Sequence, residues 1–566
     1  MAVQSTPVRT LRSPRPRSAA DARPTARTHR PAVELVEVSV SGLVYEVPTA
    51  GARVFDVLLD GRRVWSFTES DAPLPDGPGR SAVAAGVRRA QPWPPALVPW
   101  LRGRFRVGLR EVGAAGTAET EVELGGGTGP LDLADRYGRP LVVNKWGRLG
   151  HALADAPEGL VERMLDSMDG IREVVQRELG DVVYVTGGTL LGPVRENGRV
   201  MPHDDDADLA YLSGHEHPAD VTLENFRLGR ALRAAGYDVL RLSVGHLQVV
   251  RDHDGAPDHY VDVFTGFLLG GRWHQHFPIR AEARREDLLP PSTVTVEGRP
   301  EPAPRRPEFM LEQLFGDGWR IPDPSYQFDL PAATSDRFYG WFADYNVERE
   351  QWDDVVLLAP DGQQPARGGM SAFARAVHAE TPESSAVLEL GSGLGADALA
   401  LARAGRTVRA VDFSRHAVRL AQEAAADLAD TDLAGADLDL EVLNLLDSRA
   451  VVRLGARLAA EPVAWTVFGR RLLNALEDRG RDNVFRLCSM LLRRGTAAHL
   501  DVVTDHGYAG IAPHRHLSVA QVTEEARRHG LDLAEAVPRI EPMTWFDAPQ
   551  ERLVETCRLT FRRRTR

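Results

Sequence analysis

The sequence predicts a multidomain α/β protein with an N-terminal small all-β domain (residues 32–130), a central α+β domain (150–354) and a C-terminal domain of repeated strand–helix units (370–566). Three observations predict it. The chain has 566 residues, 43% of them hydrophobic, which exceeds one ordinary domain and suffices for several cores. Short β-branched runs separated by turn signals fill the first hundred residues after the tail. Twice afterwards an apolar strand runs into a glycine-rich turn and a helix, in VVYVTGGTLLG and in AVLELGSGLG.

Composition narrows the class. No run of eighteen apolar residues occurs and the N-terminus lacks an apolar signal core, so no transmembrane segment is expected. The expected location is the cytoplasm, either free or peripheral at the inner face of the membrane. Two cysteines, Cys488 and Cys557, exclude a disulfide framework and a cysteine-rich zinc site. A net charge of -12 argues against a nucleic-acid partner. Lys145 is the only lysine among 68 basic residues, so phosphate clamps are expected to be arginines.

Residues 1–31 hold few large apolar groups and read as a disordered basic tail. From Ala32 to about Gly125, runs such as ELVEVSVSGLVYEV and VFDVLLDGRRVWSF, the latter turning at Asp60 and Gly61, read as a β-sandwich or barrel. Trp65, Trp93 and Trp100 are either its core or a carbohydrate-binding face. Residues 125–149 read as a linker, and a helix is expected from about Glu158 to Leu179.

Next, an apolar strand from Val182 to Val185 runs into Gly187 and Gly188, with a helix expected from near Thr189. Glycines there let backbone amides approach a phosphate closely. Asp204, Asp205, Asp206 and Asp208 follow within five positions. If they enter a strand, alternation puts Asp204, Asp206 and Asp208 on one face and turns Asp205 away. Crowded carboxylates repel unless a cation sits between them, and hard oxygen ligands suit Mg²⁺ or Mn²⁺. HLQVVRD and HYVDVF read as a hairpin that lays Asp262 beside this strand. Residues 290–307 read as a proline-rich loop, 308–354 as helical segments, and 359–369 as a linker.

The segment 187–208 resembles the LicD family of the nucleotidyltransferase superfamily, whose pattern is a GGTLLG segment, an arginine, and a proline followed by an aspartate cluster. The resemblance covers roughly residues 150–350. It implies a nucleotidyltransferase-like fold, phosphate binding by Gly187, Gly188, Thr189 and Arg195, and metal binding by Asp204, Asp206, Asp208 and Asp262, with Asp206, Asp208 and Asp262 catalytic.

In the C-terminal domain, Gly391, Gly393 and Ala396 satisfy the dinucleotide-binding spacing, and glycine spacing alone does not separate NAD from S-adenosylmethionine. Glu389, two positions before the first glycine, and Asp447, after a third strand, favour the latter. The segment resembles class I methyltransferases, a Rossmann-like fold. That resemblance implies a methionine cradle of Glu389, Gly391, Gly393 and Gly395, ribose binding by Asp412, and Asn444 and Asp447 near the adenine. Arg470, Arg471 and Asn474 would then face the acceptor, Asn474 standing where related enzymes carry a histidine.

The function expected is a bifunctional transferase. Its LicD-like part would move a phosphoryl-linked substituent from a nucleotide-linked donor to a cell-envelope glycan or lipid-linked glycan precursor, using Mg²⁺ or Mn²⁺. The C-terminal part would methylate the product or substituent with S-adenosylmethionine. The alternatives are a glycan-binding scaffold with degenerate enzyme modules, or an NAD-binding C-terminal domain.

Overall fold

β-branched and aromatic residues from Glu34 to Leu124 build two antiparallel sheets. One has the order Glu34–Ser39, Gly42–Val47, Val87–Pro92; the other has the order Arg62–Thr68, Val54–Leu59, Gly103–Glu111, Ala118–Leu124. The hairpin at Asp60 and Gly61 has both residues at positive φ (48° and 82°), the geometry that matches strand twist. Trp65, Trp93 and Trp100 are buried in the core between these strands and offer no face to a sugar.

The computed structural model describes residues 33–564 except 50, 70–86, 128, 181, 277–278, 328–330, 358–368, 429–432, 434, 493–495, 506–513 and 544–551. The expected N-terminal tail and nearly all of the expected linker at 359–369 lie outside the described residues. No helix among those described is long and apolar enough to cross a membrane.

Residues 125–149 do more than link. Val142–Val143 and Leu149–Gly150 pair as a short hairpin, and backbone N–H groups of Leu153 and Ala154 then bond the carbonyls of Asp204 and Pro202. This segment is therefore fastened to the aspartate turn. The helix Leu160–Leu179 follows, burying Met164, Leu165, Met168, Ile171, Val174 and Val175 at three- and four-residue spacing. It ends at Gly180 in the left-handed conformation.

The central sheet has the order Val183–Val185, Ala207–Leu212, Ala256–Leu269, His246–His253, Asp238–Ser243. Only the pair Ala207–Leu212 and Ala256–Leu269 is parallel, and its register sets Asp208 opposite Asp262. The helix Pro218–Ala234 packs beside Leu160–Leu179. The proline-rich stretch expected as a loop is instead a hairpin, Ser292–Val296 with Arg299–Ala303. Pro300 and Pro302 stand two residues apart, so their missing donors share one edge of a two-stranded ribbon. Helices Pro307–Phe315, Ala332–Phe342 and Arg349–Leu357 complete this region.

Beyond it lies a seven-stranded sheet in the order Leu438–Val442, Val408–Asp412, Ser385–Leu390, Ala464–Arg470, Ala498–Val503, Arg552–Arg563, Leu531–Met543. The first five strands are parallel, and the last two form an antiparallel edge. Chain order reverses at Ser385–Leu390, which opens a crevice at the carboxyl ends of the central strands, the usual ligand position in such sheets. Cys488 and Cys557 are both buried and free. The two large sheets are joined by Arg415 paired with Asp238 and Asp252, and by Arg515 paired with Glu348.

Candidate functional site

The strand Val183–Val185 delivers the chain to Thr186, and Gly187, at φ +51°, opens the helix Gly187–Arg195 two residues earlier than the sequence predicts. The two glycines therefore form its first turn, where amides have no partner within the helix. The Gly188 N–H donates to Asp208 Oδ2 at 2.8 Å, and the Thr189 hydroxyl accepts from the Asp208 N–H at 2.8 Å. A Cβ on Gly187 would stand 2.2 Å from Asp208 Oδ2, and one on Gly188 would stand 1.9 Å from Asp204 Oδ2. Close approach of carboxylates to the backbone is thus what demands glycine at both positions.

The strand begins only at Ala207, so Asp204 and Asp206 sit on the turn before it. One oxygen from each of Asp204, Asp206 and Asp208 nonetheless lies within 4.8 Å of the others. Asp262, one strand over, accepts from Gln248 Nε2 at 3.2 Å and lies 3.1 Å from His246 Nε2. Asp205, expected to turn away, lines the same cavity and accepts the Tyr260 hydroxyl at 3.2 Å. Arg195 does not face the cluster: its guanidinium bonds Glu196, the Trp319 carbonyl and Met201 Sδ. Among the described residues no arginine is paired with these carboxylates. Lys145 is, its Nζ lying 2.9 Å from Asp204 Oδ1 and 3.6 Å from Asp206 Oδ1.

Burial pushes Asp206 well above the usual carboxylate range and Asp208 up to about 7, with neighbouring carboxylates adding to both and Lys145 opposing. Burial pulls Lys145 down, but the surrounding aspartates outweigh it and hold the ammonium well above its ordinary value. Asp206 Oδ1 and Asp208 Oδ1 are buried with no hydrogen-bond partner among the described residues. Converging oxygen donors with unsatisfied lone pairs fit a hard divalent cation of the Mg²⁺ or Mn²⁺ kind. The cavity beside them holds about 650 Å³.

In the C-terminal sheet, Gly391, Gly393 and Gly395 all have positive φ (69°, 52° and 73°), carrying the chain from strand Ser385–Leu390 into helix Ala396–Arg403. Asp412, at the end of the next strand, accepts from the N–H groups of Gly393 (2.9 Å) and Ser414 (2.8 Å), and burial raises it to about 6. Gly391, Gly393, Asp412, Asn444, Arg470 and Arg471 line a pocket of about 280 Å³. Glu389 is buried one strand-end away, where burial raises it well above its usual range, and its Oε2 has no hydrogen-bond partner among the described residues.

Three expected residues do other work. Gly395 caps the helix and packs against Ala421. Asp447 accepts from the N–H groups of Arg449 and Ala450 as the cap of helix Ser448–Ala460, so it is no part of the pocket lining. Asn474 is fully buried, exchanging hydrogen bonds with both backbone groups of Val503 and donating to the Arg515 carbonyl. It pins the end of a strand and presents nothing to an acceptor. Asn444 does line the pocket, with its Nδ2 donating to the Tyr345 carbonyl at 2.6 Å.

The helix Arg349–Leu357, which the sequence reading gave no role, stands between the two cavities. Trp352, Val355 and Val356 face the glycine-loop pocket, while Arg349, Glu350, Asp353 and Asp354 face the aspartate cavity. Ser414 Oγ lies 2.5 Å from Asp353 Oδ1, Arg349 reaches Asp353 at 3.6 Å and Gln248 Oε1 at 3.5 Å, and Gln248 reaches Asp262. Polar contacts thus run without a break from Asp262 to the loop that holds Asp412.

Residues 180–306 match the family model of the LicD/FKTN/FKRP nucleotidyltransferase domain. No curated protein matches the chain. Among solved structures, the chain is similar to the CcbJ methyltransferase from Streptomyces caelestis, at 18% identity over 39% of this chain and 100% of that one, with a TM-score of 0.27. It is similar to an S-adenosylmethionine-dependent methyltransferase from Methanosarcina mazei at 12% identity over 35% and 100%, with a TM-score of 0.26. It is also similar to the glycopeptide N-methyltransferase MtfA complexed with S-adenosyl-L-methionine, at 17% identity over 35% and 95%, with a TM-score of 0.26.

Proposed function

With a LicD-type nucleotidyltransferase domain at residues 180–306 as the premise, we propose that this chain is a bifunctional transferase. One site moves a phosphoryl-linked substituent from a nucleotide-linked donor to a cell-envelope glycan or lipid-linked precursor. The other methylates the product or substituent with S-adenosylmethionine. The observation that carries the first half is the convergence of Asp204, Asp206 and Asp208, with Asp262 in register on the parallel neighbour. These residues would hold Mg²⁺ or Mn²⁺, which when bound offsets negative charge at a transferring phosphoryl group. The Gly188 N–H holds the Asp208 carboxylate and the Thr189 hydroxyl holds the Asp208 backbone N–H against the helix start, so the residue is oriented before any ligand arrives.

The second half rests on the crevice at the reversal of the seven-stranded sheet, with its positive-φ glycines and Asp412. Asp412 would accept the ribose hydroxyls, a role carboxylates play after the second strand of such sheets. Methyl transfer from a sulfonium is an in-line displacement in which positioning dominates. Arg470 and Arg471, which line the same pocket, suit an acceptor that is already anionic.

Thermal unfolding of the full chain tests both halves. Mn²⁺ with CDP, and separately S-adenosylhomocysteine, should each stabilise by about 2.7 kcal/mol at a hundredfold excess over Kd. NADH should not. A chain that responds to NADH alone, or to nothing, overturns the proposal. The S-adenosylhomocysteine site also carries a pH signature. Below about pH 6 Asp412 takes up a proton and loses acceptor capacity, so calorimetric affinity should weaken between pH 7 and pH 5, approaching roughly tenfold per unit below the titration point.

A further inference from the structure

Lys145 is the one lysine in a chain whose every other basic side chain of this kind is arginine. Elsewhere the chain meets its aspartates and glutamates with guanidinium groups, as in Arg163 with Asp258 and Arg515 with Glu348. Against Asp204 and Asp206 it uses an ammonium. The residue lies outside the segment matched by the family model, on the turn of the short hairpin before the first long helix.

That turn is held firmly. Asn144 Oδ1 accepts from the N–H groups of Trp146 and Arg148, and Arg148 pairs with Glu350 and Asp354 of the dividing helix. The backbone is therefore fixed, while the four-carbon stem of Lys145 remains the movable part. A guanidinium is a rigid fork that locks onto carboxylates, whereas an ammonium is a compact charge that can change partners. A divalent cation bound by Asp204 and Asp206 would claim the same oxygens that Lys145 now faces, and two cations repel each other there.

We propose that Lys145 is a catalytic residue of the aspartate site that exchanges partners: were Asp204 and Asp206 to hold a divalent cation, its ammonium would leave these carboxylates and pair with the donor's phosphate oxygens. The inference rests on the nucleotidyltransferase reading above. It assigns the displaced charge to the transferring group, where negative charge must be stabilised.

The role makes opposite predictions for two ligands of the full-length chain. In Lys145→Met, calorimetry should show Mn²⁺ binding roughly tenfold tighter, because a competing cation is gone. Binding of inorganic pyrophosphate in saturating Mn²⁺ should weaken roughly tenfold or more, the worth of one charge-assisted hydrogen bond. Lys145→Arg should fail to restore both values together. S-adenosylhomocysteine binding at the other pocket reports that the variant is folded; should Lys145→Met lose it, Lys145→Gln replaces it in the same measurements. Weaker Mn²⁺ binding in a folded variant would mean that Lys145 only props the carboxylates apart, and unchanged pyrophosphate binding would remove the phosphate role. Either result overturns the inference alone. A wild-type chain that binds neither Mn²⁺ nor pyrophosphate overturns the nucleotidyltransferase reading and this inference together.

Discussion

Asp206→Ala is expected to abolish measurable Mn²⁺ binding and to lower nucleotide-dependent transfer on the order of 10³-fold, while leaving S-adenosylhomocysteine binding unchanged. Asp204, Asp206 and Asp208 bring one oxygen each within 4.8 Å of one another, so removing Asp206 breaks the converging triad and leaves Asp262 as the third carboxylate, one strand over. A bound metal typically supplies several kcal/mol of charge stabilisation, and about 4 kcal/mol corresponds to roughly 10³ in rate. Asp206→Asn is the sharper form of the experiment, because it keeps the shape and removes only the charge. A variant of either kind that still binds Mn²⁺ with wild-type affinity would show that the metal ligands lie elsewhere.

The second large effect is expected at Asp412. Asp412→Ala removes the acceptor for two backbone N–H groups, those of Gly393 and Ser414, and for the ribose hydroxyls proposed to bind there. Hydrogen bonds to a charged group are worth about 1.5–3 kcal/mol each. Losing one or two should weaken S-adenosylhomocysteine binding by roughly 10²-fold in calorimetry, with Mn²⁺ binding at the aspartate cluster intact. Asp412→Asn should fall between the two, since its side-chain carbonyl still accepts one backbone donor. Undiminished cofactor binding in both variants would remove Asp412 from the site.

Local patterns carried much of this architecture into view. The strand at Val183–Val185 running into two glycines, the hairpin that sets Asp262 opposite Asp208, and the strand entering Gly391 are all written in short runs of residues whose periodicity and turn chemistry act locally. Long-range partners were not legible in the same way. Lys145 meets Asp204 across 59 positions, and only its isolation among arginines hinted that it was special. Asp447 and Asn474 stand at positions where family resemblance expects ligand contacts, yet Asp447 caps a helix through Oδ1 and Asn474 is bonded to the backbone of Val503, which spacing cannot reveal. Arg195 fits the expected motif and still turns to the Trp319 carbonyl, because that contact comes from a segment more than a hundred residues later.

The dividing helix has a consequence for how the chain can be taken apart. Composition marks the break between the two large units at residues 359–369, but Trp352, Val355 and Val356, which wall the pocket of Asp412, lie before it. Arg349 and Asp354 on the opposite face belong just as much to the aspartate cavity. A scissor placed at the apparent border would strip a wall from one chamber, and one placed ahead of the helix would strip the other. Each chamber takes part of its wall from this helix, so a gene split on either side of it should leave a fragment that needs the other to close.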